Sequence, residues 1–316
     1  MGERYLEANG IRHRVVEEGS GPLVLLLHGW PETAYSWRHQ MGPIAAAGFK
    51  VVAPDVRGYG GTDAPVEIER YGMRDMVNDA VGLIEALGHE QAIVIGHDWG
   101  AQIAWYAALL EPARFRAVAS LSIPFPERLP ARPTAIFRQL SQGSFFYIDY
   151  FQEPGVAEAE LEADVRRSLR MVYFAASGDA PKGFTFFGKP AGSRLLDGMV
   201  DPPALPAWLT ERDVHEYAAA FARSGFRGGL NRYRNMDRDW TEIDTTNTSL
   251  TMPALYLVGE RDLSLTLQPD AVERTLRRVP QAVAKVIPGA GHWLQQEAPD
   301  RVNEELLAFL TAVTAG

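Results

Sequence analysis

The amino-acid sequence predicts an α/β fold in which a mostly parallel sheet, flanked by helices, is interrupted by a helical insert. Short aliphatic runs alternate with amphipathic stretches as far as Ile123, and the same alternation resumes after Thr251. Between the two halves the chain turns aromatic-rich and takes on a helix-type composition. The 316 residues, 46% hydrophobic and 22% charged, suit one large domain or a domain carrying an insertion.

The strand candidates come first in the chain: LVLLL from Leu23, FKVVAPD from Phe49, QAIVIG from Gln91 and FRAVASLSI from Phe115. Continuous apolar runs of this length read as buried parallel strands, because helices cover both faces of such a sheet. Helices are expected from Met73 to Leu87 and from Gly100 to Leu110, the second closed by Glu111-Pro112. The βα alternation returns with PALYLVG, a helix over about Pro269 to Arg278, AKVIPG, and a last helix over about Asp300 to Val313.

The insert is announced by Pro124, Pro126, Pro130 and Pro133, a spacing that continues neither strand nor helix and reads as a linker. Strong helix formers fill QEPGVAEAELEADVRRSLR, and Thr210 with Asp213 forms a capping-box start for a segment ending at Gly225. The Gly- and Pro-rich stretch from Ala175 to Pro203 has no periodicity and reads as a loop. The expected division is a core of residues 1–128 and 248–316 with an inserted helical cap of residues 129–247.

Charge and composition remove several functions. A formal net charge of -9 disfavours a nucleic-acid partner, whose phosphates call for clustered Lys and Arg. The chain has no cysteine, hence no disulfide framework, thiolate nucleophile or Cys-ligated metal. The N-terminal stretch lacks an apolar signal region, and the longest aliphatic run, Leu23 to Leu27, is far short of the roughly 20 residues that cross a bilayer. A soluble, cytoplasmic protein without a membrane partner is expected; oligomeric state is not legible.

Chemistry is concentrated at Gly96-His97-Asp98-Trp99-Gly100, between a strand and a helix. This has the form of a nucleophile elbow with Asp at its centre, although a strand-end Asp serving as an N-cap has the same local look. A carboxylate that attacks a saturated carbon gives an ester that water can open, whereas Ser would give an inert ether. The electrophile is then an epoxide or an alkyl halide. His292, in Gly289-Ala290-Gly291-His292-Trp293 after the last strand, is the candidate base. Asp262, after PALYLVG, is the candidate acid that holds its tautomer, with Glu127 as the rival. His28-Gly29-Trp30-Pro31 ends the first strand in a turn, so the amides of Trp30 and Trp99 are the candidate oxyanion hole. The glycine-dense loop DVRGYGGTD lacks a phosphate-loop Lys and reads as structural.

Taken together, HGWPE at His28, DVRGYGGTD at Asp55, GHDWG at Gly96, YFQEPG at Tyr150, GFRGGLNRYRNMDRDW at Gly225, GERD at Gly259 and GHW at Gly291 resemble the soluble epoxide hydrolases of the α/β-hydrolase superfamily. The resemblance covers most of the chain, and its two insert motifs are the more specific part. It implies a small hydrophobic epoxide as substrate, an α/β-hydrolase fold with a cap, no cofactor and no metal.

It also implies two lid tyrosines, on Tyr147 and Tyr233, that donate to the epoxide oxygen; Tyr150 is the alternative for the first. Ile148, Phe151, Met236 and Trp293 are the substrate-contacting residues that go with this reading. Arg232 stands where the family often has Trp, and Ile148 where it often has Gln, so pocket shape is open. Haloalkane dehalogenases share the fold and the Asp nucleophile but lack the tyrosine pair. A non-catalytic small-molecule receptor on the same fold is the reading from another class.

Overall fold

The computed structural model describes residues 2–181, 186–246 and 248–315. The expected cap boundary at Asn247, the segment 182–185 inside the stretch read as a loop, and the chain ends Met1 and Gly316 lie outside the described residues.

Among the described residues ten strands run in chain order: β1 (Gly2–Ala8), β2 (Ile11–Glu18), β3 (Leu23–Leu27), β4 (Lys50–Pro54), β5 (Ala92–His97), β6 (Phe115–Leu121), β7 (Phe145–Phe146), β8 (Phe187–Lys189), β9 (Ala254–Gly259) and β10 (Ala282–Ile287). Eight of them form one sheet in the order β1-β2-β4-β3-β5-β6-β9-β10, and β7 pairs with β8 as a separate ribbon. β1 and β2 are antiparallel to their neighbours, and every later pairing in the sheet is parallel.

The hairpin β1–β2 is absent from the strands expected above. Its signal is Asn9-Gly10, whose φ of 51° and 69° are the two positive values a tight hairpin turn of this hand needs.

Side chains of β3 alternate between two cores. Leu23, Leu25 and Leu27 point to the face covered by the helices Met73–Ala86 and Trp99–Leu110, and Val24 and Leu26 to the face covered by Met41–Ala46 and Pro299–Ala315. Each such buried Leu contributes about 1.5–3 kcal/mol of hydrophobic stabilisation, so the strand has no exposed register to slip into.

The insert between β6 and β9 carries the helices Pro133–Ser141, Tyr147–Tyr150, Val156–Glu162, Val165–Ala176, Glu211–Ser224, Arg227–Arg234 and Met236–Glu242. The run after Gln152 forms two helices because the Asp164 side chain accepts the Arg167 amide and starts a new one. Thr210 and Asp213 cap each other as expected, and Gly225, at φ 66°, ends that helix. Phe151, Tyr173, Tyr217 and Phe221 belong to the same apolar cluster as the first sheet face, so insert and core share one hydrophobic interior.

Two expectations are corrected. The linker ends at Arg132, because Pro133 opens a helix at the first position, where its missing N–H costs nothing. The stretch from Ala175 is not all loop: Ala175 and Ala176 finish a helix, and Phe187–Lys189 is a strand. No helix among the described residues is long and apolar enough to cross a membrane.

Candidate active site

The chemistry gathers at the carboxyl ends of β3, β5, β9 and β10, where a parallel sheet leaves its crevice. Asp98 follows β5 directly and precedes the helix beginning at Trp99, with φ 51° and ψ -121°. That conformation costs a non-glycine residue of order 1–3 kcal/mol, and it turns the carboxylate out of the sheet. Glycine makes the turn sterically possible: a Cβ on Gly100 would lie 2.0 Å from the Leu27 carbonyl, and one on Gly29 would lie 2.3 Å from Asp98 Oδ1. The close approach lets the Trp30 amide donate to Asp98 Oδ1 at 2.8 Å. The Trp99 amide is the first of the helix, among the N–H groups with no partner inside it.

His292 lies between two carboxylates. Its Nε2 is 3.5 Å from Asp98 Oδ2, and its Nδ1 is 3.2 Å from Asp262 Oδ2. Asp262 is the N-cap of Leu263–Leu267 and accepts the Ser264 amide at 2.8 Å, which orients the carboxylate. The side chains of Asp98 and His292 keep 15% and 14% of their exposure while Asp262 keeps 0%, so the first two face open space and the third is sealed behind them.

The loop bearing His292 is held from beneath. Glu297 accepts the amides of Gly291, Trp293 and Gly178 at 2.8–2.9 Å, and Ser122 Oγ donates to the His292 carbonyl at 2.8 Å. His97 Nε2 donates to the same carbonyl at 2.7 Å, and its Nδ1 donates to Glu32 at 2.7 Å. Glu32 also takes the side-chain amides of Gln295 and Gln296.

Sequence reasoning missed these supports. Glu32 and His97 lie inside the motifs HGWPE and GHDWG, whereas Glu297 carries no signal of its own. The loop DVRGYGGTD is structural: Asp55 accepts the amides of Ala34 and Gly61, and Arg57 pairs with Asp79 at 2.5 Å.

An aromatic wall from the insert closes over Asp98. The rings of Tyr147 and Tyr233 meet edge to face at 6.0 Å, and Phe151 packs on Tyr233, Tyr147 and Trp30 at 5.0, 5.6 and 5.1 Å. Trp99 reaches Tyr233 at 5.0 Å. Ile148 is buried beside this wall, and Met236 is half-buried against the same cluster.

Three other candidates lie elsewhere. Tyr150 donates its hydroxyl to Glu160 at 2.7 Å, and Glu127 pairs with Arg274 at 3.6 Å on the surface. Trp293 is packed in the interior against His292, its indole N–H donating to the Tyr173 carbonyl. Arg232 stacks on Trp99 at 4.8 Å while its guanidinium binds Asp239 and the Tyr71 carbonyl.

The charges follow from this geometry. Burial pushes the Asp98 pKa up, but the hydrogen bond and charge of His292, then His97 and the Trp30 amide, hold it below the usual carboxylate value. Asp262 is likewise low, because His292 outweighs its burial. Burial alone lowers the His292 pKa, yet the two carboxylates carry it well above the ordinary imidazole value. Burial and the charge of Asp98 raise both the Tyr147 and the Tyr233 phenols, which therefore stay protonated far into alkaline solution.

Comparison with known proteins agrees with this architecture. Residues 22–161 match the family model described as alpha/beta hydrolase fold. Epoxide hydrolase A of Mycobacterium tuberculosis is 43% identical over 98% of this chain and 98% of its own. An epoxide hydrolase structure from an endophytic Streptomyces superposes with a TM-score of 0.96 at 44% identity, covering 100% of this chain and 96% of that one. Epoxide Hydrolase A from Mycobacterium thermoresistibile superposes with a TM-score of 0.92 at 46% identity, covering 98% of each. The chain belongs to the epoxide hydrolase family of the α/β-hydrolase fold.

Proposed function

We propose that this chain converts small hydrophobic epoxides and water to vicinal diols through an alkyl ester on Asp98. The observation that carries the reading is the meeting of two buried phenols, Tyr147 and Tyr233, both near enough to Asp98 for its charge to raise their pKa, beside a carboxylate that the Trp30 amide and His292 keep ionised. Residues 1–128 and 248–316 act as the catalytic core, residues 129–247 as the cap, and the substrate binds between them.

In the first step an Asp98 oxygen attacks an epoxide carbon and the carbon–oxygen bond breaks. The leaving alkoxide takes a proton supplied through the phenols, because an unprotonated alkoxide leaves poorly. Esterification removes the Asp98 charge, one of the two that raise the His292 pKa. The imidazolium is thereby made more acidic, replaces the proton the phenol gave up, and emerges as the neutral base.

In the second step His292 Nε2 takes a proton from water, whose oxygen attacks the ester carbonyl. Asp262 holds Nδ1–H, and the amides of Trp30 and Trp99 stabilise the oxyanion. Collapse of the tetrahedral intermediate releases the diol and restores the Asp98 carboxylate beside an imidazolium. Phe151, Ile148 and Met236 supply the apolar wall, and Trp293 supports the imidazole from behind.

A single turnover in ¹⁸O-water with enzyme in excess tests the ester. Acyl–oxygen cleavage leaves the diol unlabelled and puts the label in the peptide containing Asp98. Labelled diol with an unlabelled peptide would mean direct attack by water, and the nucleophile assignment would fall.

A further inference from the structure

One lysine of the insert makes more directed contacts than a half-exposed cation needs. Lys189 ends the strand β8, and its ammonium donates to three main-chain carbonyls: Arg194 at 3.0 Å, Leu195 at 2.6 Å and Asp197 at 3.0 Å. All three of its protons are thereby placed. The same ammonium lies 4.4 Å above the ring of Phe145, its cross-strand partner in the ribbon β7–β8. Ordering a lysine side chain costs rotamer entropy, so the arrangement calls for a reason.

The reason lies one residue beyond β7. Tyr147 follows Phe146 directly, its amide donates to the Phe186 carbonyl at 3.0 Å, and its ring meets that of Phe186 at 5.6 Å. The place of the Tyr147 phenol thus depends on the β8 side of the ribbon. Phe186 is buried in the apolar cluster and Phe187 packs against it, and to this non-directional packing a directed polar tie to the rest of the insert is added.

Lys189 supplies the tie, and the far end of the tie is also anchored. Leu195 is fully buried, and the amides of Leu195 and Leu196 donate to Glu160 at 3.0 Å each. Glu160 in turn accepts the hydroxyl of Tyr150, on the same short helix as Tyr147. The contacts form a closed circuit: Tyr147, ribbon, Lys189, residues 194–197, Glu160, Tyr150 and back to Tyr147.

We propose that Lys189 is a positioning residue for Tyr147, holding the ribbon that delivers its phenol to the epoxide oxygen. This rests on the reading of Tyr147 as a proton donor in ring opening. Lys189 then serves ester formation, and ester hydrolysis, which runs on His292 and Asp262, does not depend on it.

The test compares wild type, Lys189→Met, Tyr147→Phe and the double variant, using styrene oxide, rapid acid quench and intact-protein mass to follow ester formation and decay. Lys189→Met is expected to slow ester formation about tenfold, to leave ester decay within about twofold, and to add less than about twofold in the Tyr147→Phe background. Glu160→Gln, which weakens the other end of the circuit, should slow the same step by a smaller factor.

If Lys189→Met does not fold, Lys189→Arg asks the same question, because a planar guanidinium does not match three carbonyls arranged around a point charge; it too should slow ester formation. Wild-type ester formation in the lysine variant beside a slow Tyr147→Phe overturns the proposal. So does equal slowing of ester decay, or full multiplication of the two effects in the double variant. If Tyr147→Phe itself forms ester at the wild-type rate, the tyrosine reading has failed, and the proposal goes with it.

Discussion

The core half of the site is held mainly by main chain, and the insert half by side chains. Asp98 sits one residue beyond a strand, with an amide hydrogen bond to its carboxylate, and Asp262 caps a helix three residues beyond another. His292 hangs on a loop whose amides converge on Glu297. Tyr147 and Tyr233 instead lie on helices of four and eight residues, placed by ring contacts and by clamps such as Arg234 on Glu158 at 2.7 Å. Strand ends are over-determined by the sheet, and short helices are determined only by what packs on them. The difference teaches that damage to the core half should be nearly absolute, and damage to the insert half graded.

The largest effects test the first part. Asp98→Ala should abolish ester formation and lower diol production by about 10⁴-fold or more. His292→Gln should still be alkylated and gain one substrate mass, while diol release slows by about 10²–10⁴-fold. A His292→Gln protein that turns over normally and stays unmodified would remove His292 from the mechanism.

The tyrosines test the second part. Tyr147→Phe and Tyr233→Phe should each slow alkylation about tenfold, and the double variant about 10²–10³-fold, because two donors to one oxygen partly replace each other. Stopped-flow or quench measurements of alkylation decide it. An all-or-none loss in either single variant would erase the contrast with the core.

The seam between core and insert offers a stability version of the same comparison. Asp239 binds the Arg232 guanidinium and also accepts the Met73 amide at the start of a core helix. Asp239→Ala leaves a buried cation and an amide unpaired and should cost about 3–5 kcal/mol in urea unfolding. Arg232→Met leaves the Asp239 carboxylate buried but still bound to the Met73 amide, so it should cost less, about 3 kcal/mol. Equal losses would mean that the stacking on Trp99 matters more than the charge.

pH separates the buried charges of the core. The His292 pKa is raised in the folded state, so its contribution to stability is full below about pH 6.5 and is lost as pH rises through the raised value. Those of Asp98 and Asp262 are depressed, so their contribution is present above about pH 4 and is lost as pH falls through the folded values. The gap in denaturation midpoint between wild type and His292→Gln should therefore be widest between about pH 4 and pH 6.5, closing toward acid as the carboxylates protonate and toward alkali as the imidazolium loses its proton. A gap independent of pH would show that the three groups are not coupled.

The smallest effect expected is that of Tyr150→Phe. Its hydroxyl serves Glu160, so turnover should change by no more than about twofold and stability by about 1 kcal/mol. A tyrosine three residues away in the chain would then differ from it by an order of magnitude in ester formation.

That contrast shows why the sequence speaks unevenly. Asp98 is legible because an elbow is a local object: two of the glycines that the turn needs, Gly96 and Gly100, lie within two residues of it, and a strand and a helix flank it. The hairpin β1–β2 is equally local, its turn resting on the positive φ of Asn9 and Gly10. No such signal marks the phenol proposed to donate to substrate, since nothing local distinguishes Tyr147 from Tyr150 among eleven tyrosines. Resemblance to a family, and not periodicity, singles out Tyr147 and Tyr233.

By itself the sequence determined the α/β class, the interruption by a helical insert, and the strand-end positions of Asp98, Asp262 and His292, because apolar period, turn glycines and residue order are properties of short stretches of chain. The tertiary structure alone decided that Glu297 gathers the loop under His292, that His97 and Glu32 support it from the other side, and that Lys189 closes a circuit around Tyr147. These partners lie far apart in the sequence or carry no mark of their role. A hydrogen bond depends on distances of about 3 Å that exist only once the whole chain has packed.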